Sequence, residues 1–148
     1  MRPDPPKVLF ALAGTLGMQV LPQVATPFGQ QSVGLAATLS VILAQEWDRA
    51  ASRLIEENAA VSELLSRARA VVNDAGVKGR LDVAVSRPPT TDYRVSALQA
   101  QNDDLRRLLI EVHALVDSMA GEAAAQFSEA IWDELKESTR RRHLMTTT

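Results

Sequence analysis

The fold is decided by residues 30–72, which read QQSVGLAATLSVILAQEWDRAASRLIEENAAVSELLSRARAVV. No proline interrupts this stretch, and Gly34 is its only glycine. Apolar residues recur at heptad spacing in three adjacent rows. The rows are Trp47, Leu54, Val61, Ala68; Leu43, Ala50, Leu64, Val71; and Ala44, Ala51, Leu65, Val72. So wide a stripe is typical of a helix buried against two neighbours. An unbroken helix of this length would measure about 60 Å, which predicts either a break or a second chain.

A polar interruption lies within the stripe at Glu56, Glu57 and Asn58, and it is the best candidate for a break or a special contact. A similar pattern follows Asn102, because both asparagines precede an apolar residue by three positions and a Leu-Leu pair by six. An asparagine in a helical seam lowers stability but can fix register by bonding to its counterpart. The simpler alternative is two similar amphipathic helices, each with an asparagine near a surface turn.

The composition indicates a single helical domain over residues 1–148. The chain is 46% hydrophobic and only 4% aromatic, which favours helices around a real core. A formal net charge of −2 gives no reason to expect a nucleic-acid partner. The absence of cysteine excludes disulfides and thiolate metal sites. No apolar run is long enough to span a bilayer, so we expect no membrane partner and a cytoplasmic protein.

The first residues have some features of a signal peptide, because Arg2 and Lys7 precede the apolar run at 8–16. However, Asp4 lies where a signal peptide is positively charged, and Gly14 interrupts the apolar run. We therefore expect a core helix here.

Capping residues and prolines set the predicted helix boundaries. Asp4 followed by two prolines is a helix start, Pro22 ends that helix, and Gly76 is expected to end the second helix in a left-handed conformation. The predicted elements are helix A at 5–20, helix B at 27–73, a short helix or extended arm and loop at 77–92, helix C at 93–117 and helix D at 122–143. Thr146–Thr148 are expected to be frayed.

The predicted fold class is therefore an all-α, four-helix bundle with one long, possibly bent helix. A short irregular segment separates its second and third long helices. Four residues lie in the middle of their apolar stripes and are expected in the core. These are Leu54, Leu65, Leu109 and Ile131.

The residues that could carry catalysis are few. The chain has two histidines, and Glu111 lies two residues from His113, so the pair does not share the helix face that a carboxylate-bridged metal site needs. We expect no metal, no cofactor and no catalytic residue. His113 adjoins the apolar seam and is expected to be a hydrogen-bonded boundary residue rather than a base.

Two charged clusters allow two interpretations each. The polar band around Trp47 either lines a ligand pocket or is a solvated face with weak salt bridges. Its candidate ligand-binding residues are Gln45, Glu46, Trp47, Arg49 and Arg53. The run Arg140–His143 follows an acidic stretch, an order that the helix dipole favours, and the alternative is a phosphate or nucleic-acid contact.

The length of helix B predicts a homodimer. In a small monomer its second half would leave a large apolar patch exposed, and a two-fold interface would cover that patch by using it twice. The predicted interface residues are Asn58, Val61, Leu64, Asn102, Leu105 and Leu108.

Three features carry a resemblance: the opening Arg2-Pro3-Asp4-Pro5, the step Val20-Leu21-Pro22, and the Ala-rich helix that reaches Glu46. In these the first third of the chain resembles uncharacterised all-helical bacterial proteins from gene neighbourhoods with acyl-CoA dehydrogenases and small-molecule phosphotransferases. The resemblance implies an accessory role in bacterial small-molecule metabolism, and it assigns no site residue.

The sequence thus favours a non-catalytic helical interaction or accessory protein that forms a homodimer. The alternative is a helical bundle that binds a small apolar or acyl ligand between helices A, B and C.

Overall fold

The computed structural model describes residues 3–88 and 90–144. Of these residues 84% are helical, and no strand occurs among them. The α-helices are α1 (Pro5–Thr15), α2 (Pro27–Val71), α3 (Ala75–Ser86), α4 (Val95–Asp117) and α5 (Glu122–Arg141). A π-helical turn at Leu16–Val20 and a 3-10 turn at Leu21–Gln23 follow α1. The all-α prediction is confirmed, whereas the described residues form five α-helices rather than the predicted four.

Helix α2 runs without interruption through Glu57 and Asn58, so of the two alternatives for this stretch the break does not occur and the special contact does. The segment predicted as a short helix or arm is the helix α3. Its N-terminus is capped by Asp74, whose Oδ1 accepts a hydrogen bond from the Val77 amide at 2.8 Å. Gly76 therefore lies in the first turn of α3, and the prediction that it ends the previous helix in a left-handed conformation is wrong.

A left-handed glycine occurs instead at Gly121, with φ of 119°. It lies between α4 and α5, where a residue with a Cβ would be strained. The predicted fraying at Thr146–Thr148 lies outside the described residues, as does Arg2.

The chain divides into two compact units within α2. The first unit contains the chain up to Ala50, and the second unit is Ala51–His143. Among the described residues, the buried side chains of the first unit are all small. They are Ala13, Ser40, Ala44 and Ala50.

The second unit is built from the end of α2 and from α3, α4 and α5. Helix α3 packs on α4, and α4 packs on α5. The ion pair Arg80–Glu111 and the later pair Arg87–Asp104 show that the chain runs in opposite directions along α3 and α4. Asn58 and Glu57 of α2 contact α4 near its start. Further along α2, Arg69 pairs with Asp82 of α3, which lies between the two α3 residues that pair with α4. Helices α2 and α4 therefore run parallel.

This parallel arrangement explains the sequence repeat. Asn58 and Asn102 hydrogen-bond to each other across a separation of 44 residues. The positions that follow each asparagine at equal spacing are all buried in one core. They are Val61 with Leu105, Leu64 with Leu108, Leu65 with Leu109, Ala68 with Val112, and Val72 with Val116. The repeat therefore places two parallel helices in register.

The core also contains Val77 and Leu81 of α3 and Phe127 and Ile131 of α5. The predicted core positions are confirmed, because Leu54, Leu65, Leu109 and Ile131 are each at most 4% exposed.

Replacing Leu65 by Ala is expected to lower the free energy of unfolding by roughly 2–5 kcal/mol, because it leaves a cavity where α2 meets α4. Chemical denaturation measures the change. The control is Ile110→Ala on α4, where the side chain is 68% exposed and the expected change is within about 0.5 kcal/mol. Equal stability of the Leu65→Ala variant and the parent would show that this stripe is not the core.

Candidate functional site

Six polar residues meet inside the second unit and form what we call the polar layer. They are Glu57, Asn58, Asn102, Arg106, Ser138 and Arg142. Its centre is the asparagine pair, in which Asn102 Nδ2 donates to Asn58 Oδ1 at 2.8 Å. Asn58 Nδ2 in turn donates to the Leu98 carbonyl at 3.1 Å. Both asparagines are buried, so the interpretation that placed them near surface turns is wrong.

The carboxylate of Glu57 is fully buried and is surrounded by guanidinium groups. Arg142 donates from Nε to Oε1 at 3.0 Å and from Nη2 to Oε2 at 2.7 Å. Arg106 donates to Oε2 at 3.0 Å, and Arg53 lies 3.4 Å from Oε1. The two-pronged contact with Arg142 has the geometry in which guanidinium and carboxylate bind most strongly.

Arg106 connects three helices. Its Nε donates to Asn102 Oδ1 at 2.9 Å, and its Nη2 donates to both Glu57 of α2 and Ser138 of α5, the latter at 2.8 Å. Because one planar guanidinium makes all these bonds, it fixes the relative positions of α2, α4 and α5 at this level.

Burial alone raises the pKa of the Glu57 carboxyl, but the hydrogen bonds and positive charges of Arg142 and Arg106 outweigh it and lower the pKa from 4.5 to about 2. The folded state therefore favours the charged carboxylate. This stabilisation is complete above pH 4.5 and is lost as the pH falls through about 2.

The arginine run at the end of α5 binds acidic side chains of the same chain. Arg141 makes a bidentate pair with Glu134 at 2.8 and 3.2 Å, and this pairing raises the pKa of Arg141. Arg142 binds Glu57 as described. These partners give a structural role to two members of the run.

The six predicted interface residues lie inside the second unit. Val61, Leu64, Leu105 and Leu108 are in its core, and Asn58 and Asn102 are in the polar layer. Their burial therefore does not need a second chain. The predicted homodimer stays a prediction, but the exposed patch from which it was argued is covered by α3, α4 and α5.

The five predicted ligand-binding residues are distributed along α2. Trp47 is 65% exposed. Gln45, Glu46 and Arg49 are partly buried and each has an interaction partner. Arg53 belongs to the second unit and contacts Glu57. The ligand pocket at these positions stays a prediction.

His113 lies among groups that resemble a nucleophilic triad in composition only. Its Nε2 is 3.4 Å from Ser128 Oγ and 3.5 Å from Asp117 Oδ1, and Ser128 donates to Asp117 at 3.0 Å. In a catalytic triad the hydroxyl and the carboxylate contact opposite ring nitrogens. Here both approach the same nitrogen, and Trp132 packs edge-on against the ring. This geometry fits the boundary role predicted for His113.

Residues 3–88 and 90–144 contain no group of three or more side chains that could hold a metal ion. Nor does that part of the chain contain a helix with the length and apolarity to cross a membrane.

The first unit exposes an apolar ridge on α2, formed by Leu35, Leu39, Leu43 and Trp47. These residues are four positions apart, so they form one continuous row along the helix. No charged side chain occurs anywhere between Lys7 and Glu46. This absence of charge is the sequence signal that could have located the ridge.

The second unit contains an apolar cleft of about 640 Å³ between α2, α3 and α4. Its floor includes the buried Leu98 and Leu105, and its walls include the exposed Ile55, Val83 and Tyr93. The cleft is lined by none of the five predicted ligand-binding residues. The apolar periodicity of the sequence did not reveal this cleft, because it lies beside the end of α3 and the irregular segment before α4.

Replacing Glu57 by Gln is expected to lower the free energy of unfolding at neutral pH by about 1.5–3 kcal/mol, because it removes charge-assisted hydrogen bonds. The difference from the parent should shrink as the pH falls from 4.5 to about 2, where the parent carboxylate also becomes neutral. Urea denaturation across this pH range measures both effects.

The matched control is Glu56→Gln, since the Glu56 side chain is 65% exposed and lies 4.0 Å from its arginine partner. Its expected effect is below about 1 kcal/mol. If both variants behave alike at every pH, Glu57 is not held as a buried charge.

No protein-family model matches the chain, and comparisons with curated proteins and with solved structures found no similar protein.

Proposed function

We propose that this chain is a non-catalytic helical interaction protein that acts as a homodimer, in the accessory metabolic role that the resemblance of its first third implies. The observation that carries the proposal is the exposed apolar ridge of the first unit. Exposed apolar surface costs about 25 cal/mol per Å² relative to burial, and contiguous patches of it mark interaction sites on soluble proteins. The geometry around His113 supports the non-catalytic part of the proposal.

The partner that fits the ridge is a second copy of the same chain. Two identical surfaces meet without repulsion only if like charges do not face each other, and no residue from Val8 to Gln45 is charged. From Leu35 to Leu43 a highly charged partner would therefore gain no ion pair, and charged residues flank the ridge only at its Trp47 end. A two-fold axis would use the ridge twice and so cover it on both chains.

The spacing of the ridge suits such an axis. Rows of side chains four residues apart pack into the grooves of an equivalent helix at a crossing angle near −50°. With the axis midway between Leu39 and Leu43, Leu35 of one copy lies beside Trp47 of the second copy. Next to Leu35, a Cβ on Gly34 would meet nothing within 4 Å, which leaves room for an indole ring.

The parent protein is therefore expected to be a dimer at micromolar concentration in light scattering or sedimentation. Replacing both Leu39 and Leu43 by Lys should give a monomer, since it places like charges at the centre of the interface. Helix content should not change, because both side chains are already exposed. The control carries the same two charges at Val83 and Ile110, which are exposed residues of the second unit, and should stay dimeric.

A parent that is monomeric under these conditions would contradict the proposal, and so would a dimer that survives both lysines. Binding of a monomeric parent to phospholipid vesicles, lost in the Leu39→Lys, Leu43→Lys variant, would assign the ridge to a lipid surface instead.

A further inference from the structure

We propose that the apolar cleft of the second unit binds an unbranched acyl carboxylate, with the alkyl chain between α2, α3 and α4 and the carboxylate at Arg87. This site is independent of the ridge and of the proposed dimer. It also differs from the ligand site expected between helices A, B and C, because α3 takes the place of the first helix.

The shape of the cleft suits an alkyl chain. Its volume of about 640 Å³ lies within the range of small-molecule sites, which are mostly apolar with a few polar groups that fix orientation. Val83 and Tyr93 are 69% and 64% exposed, although both line this concave surface. An apolar ligand between them would remove this area from water.

The floor of the cleft is compatible with an apolar ligand. Leu98 and Leu105 are buried there, and the lining of the cleft also includes the buried amide side chain of Asn58. The amide of Asn58 is already engaged with Asn102 and with the Leu98 carbonyl. Covering it with an alkyl chain therefore leaves those two hydrogen bonds in place, and the desolvation cost of an unpaired amide is reduced.

The mouth of the cleft carries the positive charge that selects a carboxylate. Arg80 and Arg87 both line the cleft, with Asp104 beside them. Arg80 is already paired with Glu111, so Arg87 is the arginine placed to take a carboxylate. Asp104 is bound by Arg107 at 2.7 Å and lies 3.9 Å from Arg87, so Arg107 is its nearer cation. Arg87 is 57% exposed and can turn towards a ligand carboxylate, because a charge-assisted hydrogen bond is stronger than a distant surface ion pair.

The probe is sodium dodecanoate below its micellar concentration, titrated into the full chain and followed by calorimetry. The parent is expected to bind one molecule per chain. Replacing Arg87 by Gln should weaken dodecanoate binding about tenfold, equivalent to 1.4 kcal/mol. The same replacement should leave the binding of 1-decanol unchanged, because that probe has no charge.

Filling the cleft by Ala84→Trp should weaken the binding of both probes at least tenfold. The matched control is Ala114→Trp, at an exposed position of α4 outside the cleft, and it should bind like the parent. Should Ala84→Trp not fold, Val83→Glu tests the same wall at an exposed side chain, with Ile110→Glu as its control.

No binding by the folded parent would overturn the proposal, as would binding that neither cleft variant weakens. Equal weakening of dodecanoate and 1-decanol by Arg87→Gln would overturn the assignment of the carboxylate to Arg87.

Discussion

The second unit depends on how two adjacent polar side chains of α2, Glu57 and Asn58, are satisfied away from water. A buried carboxylate stays charged only if other groups replace its hydration. Arg106 and Arg142 do so from α4 and from the end of α5. Asn58 needs an amide and a carbonyl partner, and α4 supplies both. Any shift of α4 along α2 would break these bonds together, whereas apolar contacts could be exchanged for others.

This constraint also positions the cleft. The bond from Asn58 to the Leu98 carbonyl holds the first turn of α4 against α2, and the burial of Val77 and Leu81 in the shared core holds α3 against both helices. These contacts position the three helices that line the cleft. The apolar ridge belongs to the other unit, so self-association and ligand binding would use separate surfaces.

Local signals in the sequence predicted most of the helices. The proline pair Pro5-Pro6 and the single Pro27 begin α1 and α2, because proline suits the first turn and cannot continue a preceding helix. The apolar pattern that follows Asn58 recurs after Asn102, and this repeat indicated a special contact. The sequence left a break and a special contact open at Glu57, since its arginine partners are 49 and 85 residues away and local sequence does not show them.

The apolar patch that motivated the predicted interface is buried within the chain, and the sequence did not show this for a related reason. When α3 was not counted as a packing helix, the stripe from Val61 onwards had too few neighbours to bury it. Val77 and Leu81 of α3 are buried against that stripe and supply the missing cover. Alternating Val and Leu residues in a segment this short fit a strand or a helix, so periodicity alone could not assign it.

The polar layer holds α2 and α4 in parallel register within one chain. The most direct test is a double-mutant cycle with Asn58→Ala and Asn102→Ala, using free energies of unfolding. If the two amides bond to each other as described, each single change leaves a buried partner unpaired, and the double change costs less than the sum of the two by about 0.5–3 kcal/mol. Strictly additive losses would contradict the claim, because they would show that the two asparagines do not interact.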